Sequence, residues 1–98
     1  MKDKVEEIMR EAIDELNEQR EEGEKLTCSD DLRLMGKSAA IASMDLVMLI
    51  SILEELIADK FGKTVRLVSY ESFASRRTPF YSVGTLTEYI VDLLGRQE

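Results

Sequence analysis

Histidine and tryptophan are absent from this 98-residue chain, and cysteine and proline occur once each. Without histidine, the chain lacks the commonest general base and the commonest metal ligand. The single cysteine, Cys28, cannot form an intramolecular disulfide and supplies too few thiolates for a zinc site. These absences predict a protein that is not itself an enzyme and that holds no metal.

Long apolar runs are also missing. The first 25 residues carry charges throughout and lack the apolar core of a signal peptide. No run approaches the roughly 18 apolar residues that a membrane span requires. We therefore expect no membrane span and a cytoplasmic location.

Negative charge dominates, with 20 acids against 13 bases, a formal net charge of −7 and a pI near 4.6. Nucleic acid would be repelled at long range, whereas a partner with a basic patch would be attracted. The balance predicts protein partners. At this length, with 44% hydrophobic and 34% charged residues, we expect one globular domain, residues 1–98, and a monomer.

Helical periodicity is clearest in the first segment. Its apolar residues recur at spacings of three and four, which places them on one face of a helix. Asp3 with Glu6 predicts a capping box at the start, and Gly23 predicts the end. The predicted inward residues are Val5, Ile8, Met9, Ala12, Ile13 and Leu16.

A long connection, residues 24–42, follows without a sustained period. It contains too many apolar residues for a free linker, so we expect it to pack back over the helices: Leu26, Leu32, Leu34, Met35 and Ile41. Long ordered connections often lead into functional sites.

A second helix is predicted from Ser43 to about Lys60, with Gly62 as its stop. Residues spaced by threes and fours define its inward stripe, which Phe61 closes: Met44, Val47, Ile50 with Ser51, Leu53 with Glu54, and Leu56 with Ile57.

The stretch that follows holds the only proline and predicts one short helical turn, from Ser69 to Ala74. Thr85 with Glu88 predicts a capping box for the last helix, which Gly95 would end. Its predicted inward residues are Leu86, Tyr89, Ile90, Leu93 and Leu94. The chain is thus expected to be all-α, with three main helices and a short one.

Ser43 admits two interpretations from the residues alone. It could cap the second helix by accepting a backbone N–H, a common use of serine. It could instead be the residue through which the chain takes part in chemistry.

Two segments resemble the acyl carrier protein family. "ASMDLVMLISILEE", residues 42–55, resembles the family signature of a modified serine, an apolar residue, an acid, an apolar helix and a glutamate pair. "SVGTLTEYI", residues 82–90, resembles the family's last loop and helix. The resemblance covers nearly the whole chain, although Ala42 stands where the family usually has aspartate.

The resemblance implies a four-helix bundle of acyl-carrier type with a long first loop, and 4′-phosphopantetheine joined covalently to Ser43. The arm would carry acyl groups as thioesters in fatty acid or polyketide biosynthesis. Its partners would be a phosphopantetheinyl transferase and acyl-loading and acyl-using enzymes with basic docking patches. The implied docking residues are Met44, Asp45, Val47, Met48, Glu54 and Glu55.

A second hypothesis belongs to a different class of protein. An unmodified helical adaptor could have kept the carrier fold and the acidic second helix as a binding surface. Attachment of a group to Ser43 separates the two hypotheses.

Overall fold

The computed structural model describes residues 2–36, 39–67 and 78–96. These ranges contain three α-helices, which we label α1 (Lys2–Asn17), α2 (Ser43–Phe61) and α3 (Val83–Arg96), and a 3-10 turn at Glu22–Glu24. The described ranges hold no strand beyond an isolated antiparallel bridge between Arg33 and Ser82. The all-α prediction is confirmed, whereas the short helix predicted from Ser69 to Ala74 lies outside the described residues.

Helix α1 packs against both α2 and α3. All six predicted inward residues of α1 are buried: Val5, Ile8, Met9, Ala12, Ile13 and Leu16. Its predicted limits were wrong. The helix begins at Lys2, so Asp3 lies in the first turn rather than at the cap. It ends at Asn17 instead of continuing to Gly23, because the Asn17 side chain both donates to the Leu26 carbonyl (2.9 Å) and accepts from the Leu26 N–H (2.7 Å).

Helix α2 has the predicted limits within one residue. It ends because Gly62 adopts the left-handed conformation (φ 65°), from which its N–H donates to the Ala58 carbonyl at 3.1 Å. The inward face was predicted only in part, since Met44 and Val47 are exposed. The buried residues are Leu46, Leu49, Ile50, Leu53 and Ile57. Leu56 and Phe61 are half-buried.

Helix α3 begins at Val83, and its cap lies at Ser82, three residues before the predicted cap at Thr85. Ser82 and Thr85 form the reciprocal cap: the Ser82 N–H donates to Thr85 Oγ1 (3.0 Å) and the Thr85 N–H to Ser82 Oγ (3.3 Å). Glu88, the predicted capping partner, is exposed one turn further on, and the helix continues through Gly95. The inward face is close to the prediction, with Leu86, Ile90 and Leu94 buried and Tyr89 and Leu93 half-buried.

The first connection packs back over the helices as predicted. Leu34 and Ile41 are buried, and Leu26, Leu32 and Met35 are half-buried against the core. Four backbone hydrogen bonds among the described residues join this connection to the start of α3. The Tyr81 carbonyl accepts from both Leu34 N–H (2.8 Å) and Met35 N–H (3.3 Å). The other two run from Val83 N–H to the Leu32 carbonyl (3.0 Å) and from Gly84 N–H to the Asp30 carbonyl (3.0 Å). These bonds hold the chain that leads to α2.

The first connection and the start of α3 approach each other closely at Gly84 and Asp30. A Cβ atom added there would lie 3.1 Å from the Asp30 carbonyl oxygen and 3.2 Å from Asp30 Cβ. We expect Gly84→Ala to lower the free energy of unfolding by about 1–3 kcal/mol, since the backbone atom it meets cannot move away freely. Urea denaturation measures the change.

Gly95→Ala is the matched control. It lies in the same helix, and apart from its chain neighbours and the local helix backbone no atom of the described residues lies within 4 Å of its added Cβ. This substitution should stabilise the protein by about 0.5–1 kcal/mol, because alanine loses less backbone entropy in a helix than glycine does. If Gly84→Ala and Gly95→Ala changed the free energy of unfolding equally, the close contact between Gly84 and Asp30 would be contradicted.

Candidate functional site at the start of helix α2

Ser43 is the first residue of α2 and is exposed. The N-cap position belongs to Ala42, which has an extended backbone (φ −76°, ψ 161°) and no side-chain capping bond. Within the described residues the Ser43 hydroxyl makes no hydrogen bond. The capping interpretation of Ser43 is therefore wrong, and its hydroxyl is open to solvent.

The backbone around Ser43 offers hydrogen-bond donors. The Leu46 N–H bonds to the Ala42 carbonyl at 3.1 Å, which closes the first helical turn. The N–H groups of Ser43, Met44 and Asp45 have no acceptor in the described part of the chain. Such orphan donors, together with the positive end of the helix dipole, favour a negatively charged group at this helix end.

Asp45 is partly exposed, and its carboxylate is paired with an arginine. Its Oδ2 lies 3.1 Å from Nη1 of Arg20, and both side chains are partly buried. Arg20 also donates from Nε to the Glu24 carbonyl at 2.8 Å. The arginine thus ties the 3-10 turn to the first turn of α2, and it neutralises the acid nearest to Ser43 along the helix.

The two glutamates of the expected acidic pair have different environments. Glu54 is half-buried, and its Oε2 accepts the Leu67 backbone N–H at 2.8 Å. Glu55 is exposed. Successive helical residues point about 100° apart because a turn takes 3.6 residues, so one glutamate reaches the following chain and the other faces solvent.

Apolar side chains dominate the outer face of α2 beside Ser43. Met44 is 79% exposed, Val47 60% and Met48 36%. We call these three residues the outer patch. Contiguous exposed apolar side chains are typical of interaction sites, and methionine adapts to differently shaped partners.

Ser43 also lines a pocket of about 380 Å³, to which the outer patch does not contribute. It is lined by residues 34–36, 39, 41–43 and 46, so it lies between the first connection and the start of α2. Among the described residues of this lining, Ser43 has the one polar side chain. The sequence predicted neither the pocket nor the role of Arg20. Arg20 and Asp45 lie 25 positions apart, and no sequence pattern indicates that they meet. The pocket depends on how the first connection folds, and that connection has no periodic pattern.

Cys28, the remaining nucleophilic side chain, is half-buried. Burial raises the pKa of its thiol, and the nearby Arg10 only partly opposes that effect. The thiolate is therefore scarce at neutral pH, and its reactivity is low. Among the described residues, no group of three or more cysteine, aspartate or glutamate side chains could hold a metal ion.

No helix in the described ranges is both long and apolar enough to cross a membrane. Comparison with known proteins found no match to a family model, to a curated protein or to a solved structure. The similarity to acyl carriers therefore depends on the two sequence segments quoted above.

Proposed function

We propose that this protein is an acyl carrier that bears 4′-phosphopantetheine on Ser43. The observation that carries the proposal is the exposed, unbonded Ser43 hydroxyl on the first residue of α2. The carrier resemblance places the modified serine at this same residue. The four-helix arrangement, the cytoplasmic location and the monomeric state expected from the sequence belong to this proposal.

The residues around Ser43 fit such a group. Ser43 Oγ would form the ester, and the orphan N–H groups of the first turn would favour the phosphate charge. Asp45 would oppose a second negative charge less strongly than a free carboxylate, because Arg20 already pairs with it. When bound, the arm supplies a terminal thiol that carries acyl groups as thioesters.

Attachment requires help from another protein. The hydroxyl proton must leave as the oxygen forms its bond to phosphorus and the donor's own phosphate bond breaks. No side chain of the described residues hydrogen-bonds to the Ser43 hydroxyl, so none is positioned to accept its proton. A phosphopantetheinyl transferase would supply the base and the donor site.

The outer patch is the proposed docking surface for this transferase and for enzymes that load or use the acyl group. Met44, Val47 and Met48 would supply apolar contact, and Glu55 would attract a basic rim. Asp45 and Glu54 contribute mainly to the chain's own structure, through Arg20 and the Leu67 N–H.

The adaptor is the second candidate, and the exposed outer patch favours it equally. An apolar surface can bind a partner without any group on Ser43. Ala42, which replaces the aspartate usual in carriers, also removes an acid that a transferase could recognise. The two candidates differ in whether Ser43 is ever modified.

Expression of the chain with a broad-specificity phosphopantetheinyl transferase should give a single phosphopantetheine adduct. Intact-mass analysis and peptide mapping should place it in the peptide that contains Ser43. Ser43→Ala should abolish the adduct and leave the helical circular dichroism unchanged, because the hydroxyl makes no bond that the fold uses. An adduct that persists in this variant would exclude Ser43 as the site.

Ala42→Asp should speed modification by the same transferase. The new carboxylate restores the acid beside the serine and also supplies the missing N-cap, so the free energy of unfolding should rise by about 0.5–2 kcal/mol. Time courses of adduct formation measure the rate. Ala42→Asn is the matched control, since it caps the helix without adding charge. If neither variant nor the original chain is modified by several transferases, the adaptor becomes the better explanation.

A further inference from the structure

The pocket beside Ser43 has apolar walls from two parts of the chain. Leu34 and Ile41 of the first connection are buried, as is Leu46 of α2, whereas Met35 and Ala39 are half-buried. Its volume of about 380 Å³ lies at the small end of the range found for ligand pockets, roughly 300–1,000 Å³. A small aliphatic group matches both its size and its lining.

The position of Ser43 limits which group can enter. Ser43 and Ala42 both line the pocket, so any substituent on Ser43 Oγ begins at the pocket's rim. The part of a substituent nearest the oxygen reaches the walls without turning back. A group at the far end of a long arm would have to fold over to reach the same walls.

We propose that this pocket binds the branched aliphatic segment of the phosphopantetheine arm, the carbon with two methyl groups that one CH2 group separates from the phosphate oxygen. This inference rests on the proposed function, because it names the part of the arm that the chain itself would hold. The ligand class is a compact branched alkyl group tethered at residue 43.

Tethering makes weak binding sufficient. A group joined to Ser43 is present at a high effective concentration, so modest burial of its methyl groups populates the bound state. The start of the arm would then lie against the first connection, and the outer patch would remain free for a partner.

A tethered probe tests the pocket without a transferase. Ser43→Cys in a Cys28→Ala background can be alkylated with an environment-sensitive naphthalene dye on a short aliphatic linker. Cys28 is removed because it is the only other thiol. Emission should lie at short wavelength, and an aqueous quencher should act weakly, when the probe occupies the pocket.

Substitutions that fill the pocket should move the probe into water. Ala39→Leu narrows it from the first connection, and Ala42→Leu narrows it from its exposed rim and disturbs packing least. Both should shift the emission to longer wavelength and strengthen quenching. Ala58→Leu, at an exposed position near the other end of α2, is the matched control and should change neither. Circular dichroism verifies that each variant is folded.

If the filled variants emit at the same wavelength as the parent, the pocket does not take a group tethered at residue 43, and the inference fails. The arm itself is tested by methyl NMR of the transferase-modified protein, in which the Met35 methyl signal should shift relative to the unmodified chain. An unshifted Met35 signal in a fully modified sample would also overturn the inference. A chain that is never modified, but whose dye responds as expected, would contradict the carrier function and not the pocket.

Discussion

Backbone hydrogen bonds between the first connection and the start of α3 determine where Ser43 lies. The donors are the N–H groups of Leu34, Met35, Val83 and Gly84, at 2.8–3.3 Å from their acceptors. Arg33 adds a contact over the Tyr81 ring, 4.4 Å from its centroid. The connection also has a backbone hydrogen bond of its own, in which Ala40 N–H donates to the Arg33 carbonyl at 2.9 Å. Ile41, two residues before Ser43, is buried in the core and fixes the last residues of the connection before α2.

The N-terminus of α2, to which this anchored connection leads, has no side-chain cap. Ala42 supplies no side-chain acceptor, and the next three N–H groups find none in the described part of the chain. A helix end of this kind is less stable than a capped one, typically by about 1 kcal/mol. Loss of stability at a position beside an exposed hydroxyl is consistent with use of that end by a ligand or a modifying group. Arg20 reduces the negative charge near Ser43, because it pairs with Asp45, the acid closest to Ser43 along the helix.

The sequence predicted the parts of the fold in which one periodic pattern dominates. Helix α1 alternates apolar and charged residues so regularly that all of its buried positions were identified. The N-terminal half of helix α2 is apolar on most sides, so several sets of residues have the spacing of a buried helix face. The choice of Met44 and Val47 as inward residues was wrong. Its limits were nevertheless correct, because Gly62 ends the helix through a local conformation that only glycine adopts readily.

Contacts between distant residues were not predictable. The pairing of Arg20 with Asp45 joins residues 25 positions apart, and Glu54 reaches Leu67 across the end of α2. In the sequence, Asp45 and Glu54 look like free surface acids, since nothing nearby indicates a partner. Ser43 itself was identified from the resemblance, whereas its exposure and its missing bonds required the structure.

The central claim is that hydrogen bonds fix the first connection while the N-terminal amides of α2 remain without acceptors. Amide hydrogen exchange, measured residue by residue, tests both parts of this claim. The Leu34, Val83 and Leu46 amides, which donate to the Tyr81, Leu32 and Ala42 carbonyls, should exchange slowly. The amides of Ser43, Met44 and Asp45 should exchange much faster, because they have no acceptor in the described residues. Slow exchange at all three would mean that the helix end is already satisfied, and fast exchange at Leu34 and Val83 would mean that the connection is not fixed; either result would contradict this account.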